Sequence, residues 1–214
     1  MSKVYTDILT EAQKKEFPKL IQFSHLGVMV GGTALALQLQ HRRSYDFDIF
    51  LPKPLPKNLL QKIKAVFGSI QIIRHTQEEL TFTISSGLKI TFFEYPFKSL
   101  YPSVTTDSIK IAGWRDIALD KSHTIGRRAQ YRDYVDLFCI INTKKITLDW
   151  LIQNTIKKFG DLFSEKLFLE QLTYLDDLDI VTVEFFKDSY TAEEIKLFFK
   201  EITTNYIKEK LKYQ

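Results

Sequence analysis

The chain has 214 residues, and at about 150 residues per domain this allows one domain with a helical extension or two small domains. Apolar residues make up 44% of the chain, with eight Gly and six Pro, which excludes wholesale disorder and a collagen-like or low-complexity polymer. The net charge of +4 is too mild to indicate nucleic acid by itself, and a single cysteine, Cys139, excludes a disulfide framework or a cysteine-based zinc finger within one chain.

No apolar stretch follows Lys3 as in a signal peptide, and no run approaches the roughly 18 apolar residues of a membrane span, so a cytoplasmic location is expected. In chain order, Thr6–Phe23 reads as a helix capped by Thr6 or Asp7 and kinked at Pro18. His25–Val30 is a short apolar run expected to form a strand, ending at Gly31-Gly32. Thr33–Gln40 reads as a buried helix, Tyr45–Leu51 as a strand and Leu59–Phe67 as an amphipathic helix beyond three prolines. Three β-type runs follow at Ile70–Arg74, Leu80–Ser85 and Leu88–Tyr95, with Ser86-Gly87 as a hairpin turn and a last short strand at Ser108–Ile111. From Trp114 the pattern is helical, over about 114–125, 130–142, 147–159, 164–174 and 191–210. The expected class is α+β: a mixed sheet with flanking helices over 1–112, then a helical portion over 113–214 that completes an active-site cleft.

The chemistry concentrates in Gly31-Gly32-Thr33 and in Ser44-Tyr45-Asp46-Phe47-Asp48. A strand that ends in two glycines and passes at once into a helix lets an anion approach the backbone. The first N–H groups of the helix, with the Thr33 hydroxyl beside them, suit a phosphate. Asp46 and Asp48 stand two apart on a strand, so both carboxylates leave one face and repel unless a cation lies between them. Hard oxygen ligands select Mg²⁺, and two such ions could clamp the attacking and leaving oxygens of a nucleotidyl transfer from an NTP. A glycine pair or an Asp-x-Asp alone is common, but the ordered combination is not. Asp177 and Asp179 repeat the acid spacing without glycines upstream and read as capping or loop acids.

With these residues the chain resembles the nucleotidyltransferase superfamily with the DNA polymerase β-like palm, and within it the AbiEii/AbiGii toxin family. That family's first motif runs Gly-Gly-Thr-Ala-Leu and then Arg-x-Ser-x-Asp-x-Asp. Here Gly31-Gly32-Thr33-Ala34-Leu35 is followed by Arg43-Ser44-Tyr45-Asp46-Phe47-Asp48, with Arg and Ser adjacent. A later family stretch, Lys, then Arg, then Arg/Lys-Asp and a further Asp, is similar to Lys121, Arg127-Arg128, Arg132-Asp133 and Asp136. The resemblance spans residues 25–140 and implies an Mg²⁺-dependent enzyme that moves NMP from an NTP to an acceptor hydroxyl. It also implies tRNA as an acceptor, an antitoxin partner and a role in a toxin–antitoxin or abortive-infection pair.

By the same resemblance Asp46 and Asp48 are catalytic metal ligands, and Gly31, Gly32, Thr33, Ser44 and Lys121 bind the nucleotide. Lys121 pairs with the triphosphate and Asp133 acts on the acceptor hydroxyl, with Asp136 as its alternative. Glu94, at the end of its strand, is the best-placed third metal ligand, or else a solvated strand-end residue. Residues 109–134 carry six basic and three acidic side chains, which fits a phosphate-facing helix as well as a solvated one laced with i,i+4 ion pairs. The segment 196–214 has five Lys and two Glu with Phe198, Phe199, Tyr206 and Tyr213 interleaved, the pattern of a packed amphipathic helix or of an RNA-contacting one. The alternative in a different class is a non-catalytic nucleotide- or partner-binding module with the same fold. The four histidines show no metal-ligand spacing, and Cys139 sits in an apolar run that suits a buried thiol.

Overall fold

A computed structural model describes residues 3–128, 130–144 and 146–212; Tyr213 lies outside them. The chain divides into two compact units, Met1–Trp114 and Arg115–Gln214.

The first unit begins with a 3-10 turn at Thr6–Ile8, helix α1 (Glu11–Glu16) and a 3-10 helix over Phe17–Phe23. This replaces the single kinked helix expected over Thr6–Phe23, and the cap is Thr10 rather than Thr6 or Asp7. Thr10 Oγ1 accepts from Gln13 N, and Gln13 Oε1 accepts from Thr10 N, a reciprocal capping box. Pro18 supplies no N–H and crowds the carbonyl four residues back, so the α-helix ends before it and the chain tightens to a three-residue period. That period sets Phe17, Leu20 and Phe23 on one buried face.

Five strands form one mixed sheet: β1 (Val28–Val30), β2 (Phe47–Leu51), β3 (Ile70–His75), β4 (Glu79–Ile84) and β5 (Lys89–Glu94), in the order β1-β2-β5-β4-β3. β2 and β5 are parallel; the other neighbours are antiparallel. The first strand is shorter than the run His25–Val30, and β2 starts at Phe47 rather than Tyr45. Of the strand expected at Ser108–Ile111 only Ile111 makes β-bridges, one to Met29 and one to Val104. Alternation along the paired strands turns Phe47, Ile49, Phe82, Ile90 and Phe92 to one face, all fully buried. Phe17 meets Phe47, and Phe23 meets Phe92 with ring centroids 5.1 Å apart. Phe67, at the end of helix α3 (Leu59–Phe67), meets Phe23 and Phe82. The core of this unit is therefore an aromatic layer between the sheet, the 3-10 helix and α3.

Helix α2 runs over Gly31–Leu39, two residues earlier than the expected start at Thr33, and Gln40 closes it in the left-handed conformation. Every residue from Thr33 to Leu39 is buried. Buried Gln38 donates to the Ala112 carbonyl at 2.9 Å and accepts from the Trp114 N–H at 3.0 Å, which ties the unit's end to the helix.

The second unit is helical: α4 (Trp114–Ile125, entered from the last residue of the first unit), α5 (Tyr131–Lys144), α6 (Leu148–Phe159), α7 (Glu165–Thr173) and α8 (Ala192–Leu211). α8 opens with a second capping box, Thr191 with Glu194. Buried Tyr134 on α5 meets Phe199 of α8 edge-on and donates its hydroxyl to the Gln171 carbonyl at 2.8 Å. Cys139 is buried on α5, and Asp177 and Asp179 lie exposed in the turn after α7. Among the described residues no helix is long and apolar enough to cross a membrane.

Candidate active site

Because α2 begins at Gly31, both glycines belong to its first turn, where backbone N–H groups have no partner within the helix. Gly31 adopts φ +72°, a region that a side chain resists, and a Cβ there would stand 2.8 Å from Asp48 Oδ2. A Cβ on Gly32 would stand 2.6 Å from Arg42 Nη2 and 2.9 Å from Ser44 Oγ. Two missing Cβ atoms thus let the helix start lie against a carboxylate on one side, and against a guanidinium and a hydroxyl on the other.

Thr33 is buried, and its hydroxyl donates to the Asp46 carbonyl at 2.6 Å, which binds the helix to the chain entering β2. The loop before β2 is braced from the N-terminal elements. Gln13 Nε2 donates to the Ser44 carbonyl at 3.0 Å, and Arg43 Nη1 to the Ile8 carbonyl at 3.2 Å. Arg43, the arginine singled out in the sequence, therefore serves as a brace. Arg42 was passed over, although it is 4% exposed and lies against Gly32. Its spacing was the available signal, since Arg42-x-Ser44-x-Asp46-x-Asp48 follows the quoted motif with one residue between Arg and Ser.

Asp46 stands one residue before β2 and Asp48 within it, both half-buried and flanked by buried Phe47 and Ile49. In the register of β2 with β5, Asp48 lies beside Thr91, and the preceding step sets Asp46 beside Lys89. Lys89 Nζ is 2.8 Å from Asp46 Oδ2. Glu94 pairs with Leu51, on the other face of the sheet from Asp48 by alternation, so it is set apart from the acid pair. Among the described residues no group of three or more His, Cys, Asp or Glu side chains comes together to hold a metal ion. A pair of carboxylates on one strand face still fits Mg²⁺, which commonly takes one or two protein carboxylates and completes its shell with substrate phosphates and water.

In the helical unit, Asp133 and Asp136 lie three apart on α5, and both reach Lys121 of α4. Lys121 Nζ is 2.5 Å from Asp133 Oδ1 and 2.8 Å from Asp136 Oδ2. Asp136 is fully buried, and the second oxygen of Asp133 is buried with no hydrogen bond among the described residues. Burial, with the Asp133 carboxylate beside it, pushes the Tyr134 phenol up to about 12. Asp116 and Asp120 of α4 likewise reach a neighbouring helix. Both bind Lys158 of α6, at 3.0 and 2.6 Å, with Lys158 2% exposed. Bridges between packed helices thus hold the charges of α4.

A five-stranded mixed sheet, with a glycine-opened helix beside an Asp-x-Asp strand, and a helical part after it, defines the nucleotidyltransferase fold. Two solved structures share it over most of this chain. JHP933 from Helicobacter pylori is 19% identical with a TM-score of 0.55, covering 96% of this chain and 97% of its own. MenT4, a nucleotidyltransferase toxin from Mycobacterium tuberculosis H37Rv, is 16% identical with a TM-score of 0.60, covering 90% of this chain and 82% of its own. In sequence, an uncharacterized protein of Aquifex aeolicus is 28% identical over 209 residues, covering 93% of this chain and 98% of that protein. No family model matches the chain.

Proposed function

We propose that this chain is an Mg²⁺-dependent nucleotidyltransferase that moves NMP from an NTP to an acceptor hydroxyl. The observation that carries the reading is the placement of Asp46 and Asp48 on one face at β2, directly against the first turn of α2, where Gly31 leaves room for the Asp48 carboxylate. Asp46 and Asp48 would hold the metal ion, which when bound supplies charge neutralisation on the phosphates. The N–H groups of Gly31 and Gly32 and the Ser44 hydroxyl receive the phosphate oxygens. Thr33 acts through its bond to the Asp46 carbonyl, holding the first acid in register with the helix start.

The acceptor oxygen bonds to the α-phosphorus as the bond from that phosphorus to pyrophosphate breaks, and the hydroxyl proton passes to a carboxylate. Asp133 takes that role in this reading, as the resemblance in sequence implies. Lys121, oriented by Asp133 and Asp136, carries the charge that binds the triphosphate and stabilises the departing pyrophosphate. An RNA acceptor such as tRNA, a toxin role and an antitoxin partner rest on the resemblance in sequence, and the likeness to a toxin's fold agrees with them.

The test is incubation of the full chain with each α-labelled NTP, Mg²⁺ and total RNA or protein. The expected result is label transferred to one class of acceptor, lost on chelation. No transfer from any NTP to any acceptor, with NTP binding intact, would instead leave a nucleotide-binding module.

A further inference from the structure

Beyond the acid pair the chain gathers positive charge without counter-charge. From Ile49 to Gln77 there is no Asp or Glu, while Lys53, Lys57, Lys62, Lys64 and Arg74 fall within that stretch. Arg74 pairs with Glu79. Among the described residues the four lysines meet no carboxylate, in contrast to lysines such as Lys14, Lys158 and Lys210. Pro52, Pro54 and Pro56 alternate with Lys53 and Leu55 in the turn between β2 and α3, so Lys53 and Lys57 are carried on backbone with little freedom to lose. Helix α3 buries Leu59 and Ile63 and exposes Gln61, Lys64 and Ala65; Lys53 and Lys57 are exposed as well. On the flank of α3 beside the 3-10 helix, Lys62 Nζ lies over the Phe23 ring at 5.6 Å and stands 3.5 Å from Nε2 of exposed His25. Among the described residues no large apolar side chain is exposed on the turn or on α3.

We propose that this turn-and-helix surface binds the phosphate backbone of a polynucleotide acceptor; the word acceptor rests on the nucleotidyltransferase reading above, the binding does not. Ammonium groups set along a turn and a helix neutralise successive phosphates and release their counterions. A membrane-surface helix would instead need an apolar face to bury in lipid, which α3 already spends on the core. The position of the surface agrees with a long acceptor. β2 starts beside the acids and ends at Leu51, so Lys53 lies at most about 17 Å along the chain from Asp48, at about 3.3 Å per residue. Asp48 and Phe47 point to opposite faces of that strand, and α3 packs on the face of Phe47 and Phe82. A small acceptor seated at the acids would leave the four lysines unused. A polynucleotide is long enough to pass round the end of β2 and occupy both.

Fluorescence anisotropy on the full chain, with neither NTP nor Mg²⁺, tests the surface. The probes are a labelled RNA hairpin with a single-stranded 3′ end and the DNA hairpin of the same sequence. The wild type is expected to bind at least one of them. Replacing Lys53, Lys57, Lys62 and Lys64 together by Gln should weaken that binding about tenfold or more at low salt, and should lower the slope of log affinity against log salt by about 0.7–0.9 for each lysine that meets a phosphate. Arg at the same four positions should restore both. Lys53→Gln with Lys57→Gln, and Lys62→Gln with Lys64→Gln, should each lose part of the effect and serve if the fourfold variant folds poorly. A charge-matched variant of the second unit, with Gln at Lys157, Lys200, Lys208 and Lys212, should bind close to wild type. Equal losses in the two fourfold variants would reduce the effect to net charge and overturn the proposal. So would a wild type that binds neither hairpin, or a loss in the α3 variant seen only with phosphatidylglycerol vesicles. Label passing from NTP to protein or to a small molecule, with both hairpins unbound, would overturn this inference and leave nucleotidyl transfer standing. Hairpins held through the four lysines, with no transfer to any acceptor, would keep the surface and remove the transferase reading.

Discussion

Removing Asp46 or Asp48 separates catalysis from folding. Neither side chain fills the core, and the buried neighbours Phe47 and Ile49 hold the strand without them. Asp46→Ala or Asp48→Ala should lower transfer by about two orders of magnitude or more, with the thermal midpoint and far-ultraviolet circular dichroism close to wild type. Wild-type turnover in both variants would end the nucleotidyltransferase reading. Lys121→Ala should raise KM for NTP, while Asp133→Asn should lower kcat by about 10²–10⁴-fold and leave NTP affinity near its wild-type value. A second single-residue effect concerns acid stability. His123 is stacked on Phe159 at 4.0 Å, and burial, helped by Arg127 and Lys158, lowers it from 6.5 to about 4. Between these values the unfolded chain takes up a proton that the folded chain refuses, so this contribution is fully present above the ordinary histidine value and declines as the pH falls toward 4. A His123→Phe variant keeps the stacking without the titration. Its thermal midpoint should fall less than that of the wild type between about pH 6.5 and pH 4.5.

At the scale of elements, α2 is the piece on which the candidate site depends. It is anchored by Gln38 at one end and by Thr33 at the other. Thr33→Val keeps the shape but removes the donor to the Asp46 carbonyl, so it should cost about 1 kcal/mol, measured by denaturant unfolding, and it should lower kcat/KM through Asp46. At Gly32 the new Cβ of a valine would press on the Arg42 guanidinium and the Ser44 hydroxyl. Gly32→Val should therefore weaken NTP binding much more than it changes helix content; an unchanged affinity would make the turn purely structural. Helix and strand limits show where local reading works. Leu59–Phe67 and Trp114–Ile125 match the structure residue for residue, because apolar spacing and terminal signals agree there. Thr6–Phe23 does not, because Pro18 divides it and only the buried positions of Phe17, Leu20 and Phe23 reveal a three-residue period.

At the scale of the molecule, each of the two units has a centre that the other type of structure could not supply. The first closes an aromatic layer on one face of its sheet; the second is pinned by charge as well as by packing. Lys158, almost wholly buried, joins α6 to two acids of α4. Lys158→Met should destabilise the chain by about 3–5 kcal/mol, because it removes the buried ammonium that Asp116 and Asp120 share. Hydrogen exchange should rise first in α4 and α6, and a loss below about 1 kcal/mol would mean that the bridge merely replaces contacts with water.

The α+β order, the glycine-opened helix and the Asp-x-Asp strand were all legible along the chain, because each depends on residues no more than about four apart, within reach of one turn or one strand repeat. Partner choice was not. The sequence places Lys89 and Asp46 far apart, and Lys121 lies a dozen residues from Asp133. Only strand register and helix packing bring each cation to its acid. Glu94 and Lys89 make the same point from opposite sides. Both lie on β5, but pairing with β2 turns Glu94 away from the acid pair and Lys89 toward it. Local periodicity determines which residues share a face of their own element. Which faces meet, and therefore which charges neutralise one another, was decided by long-range pairing that no single stretch of the chain encodes.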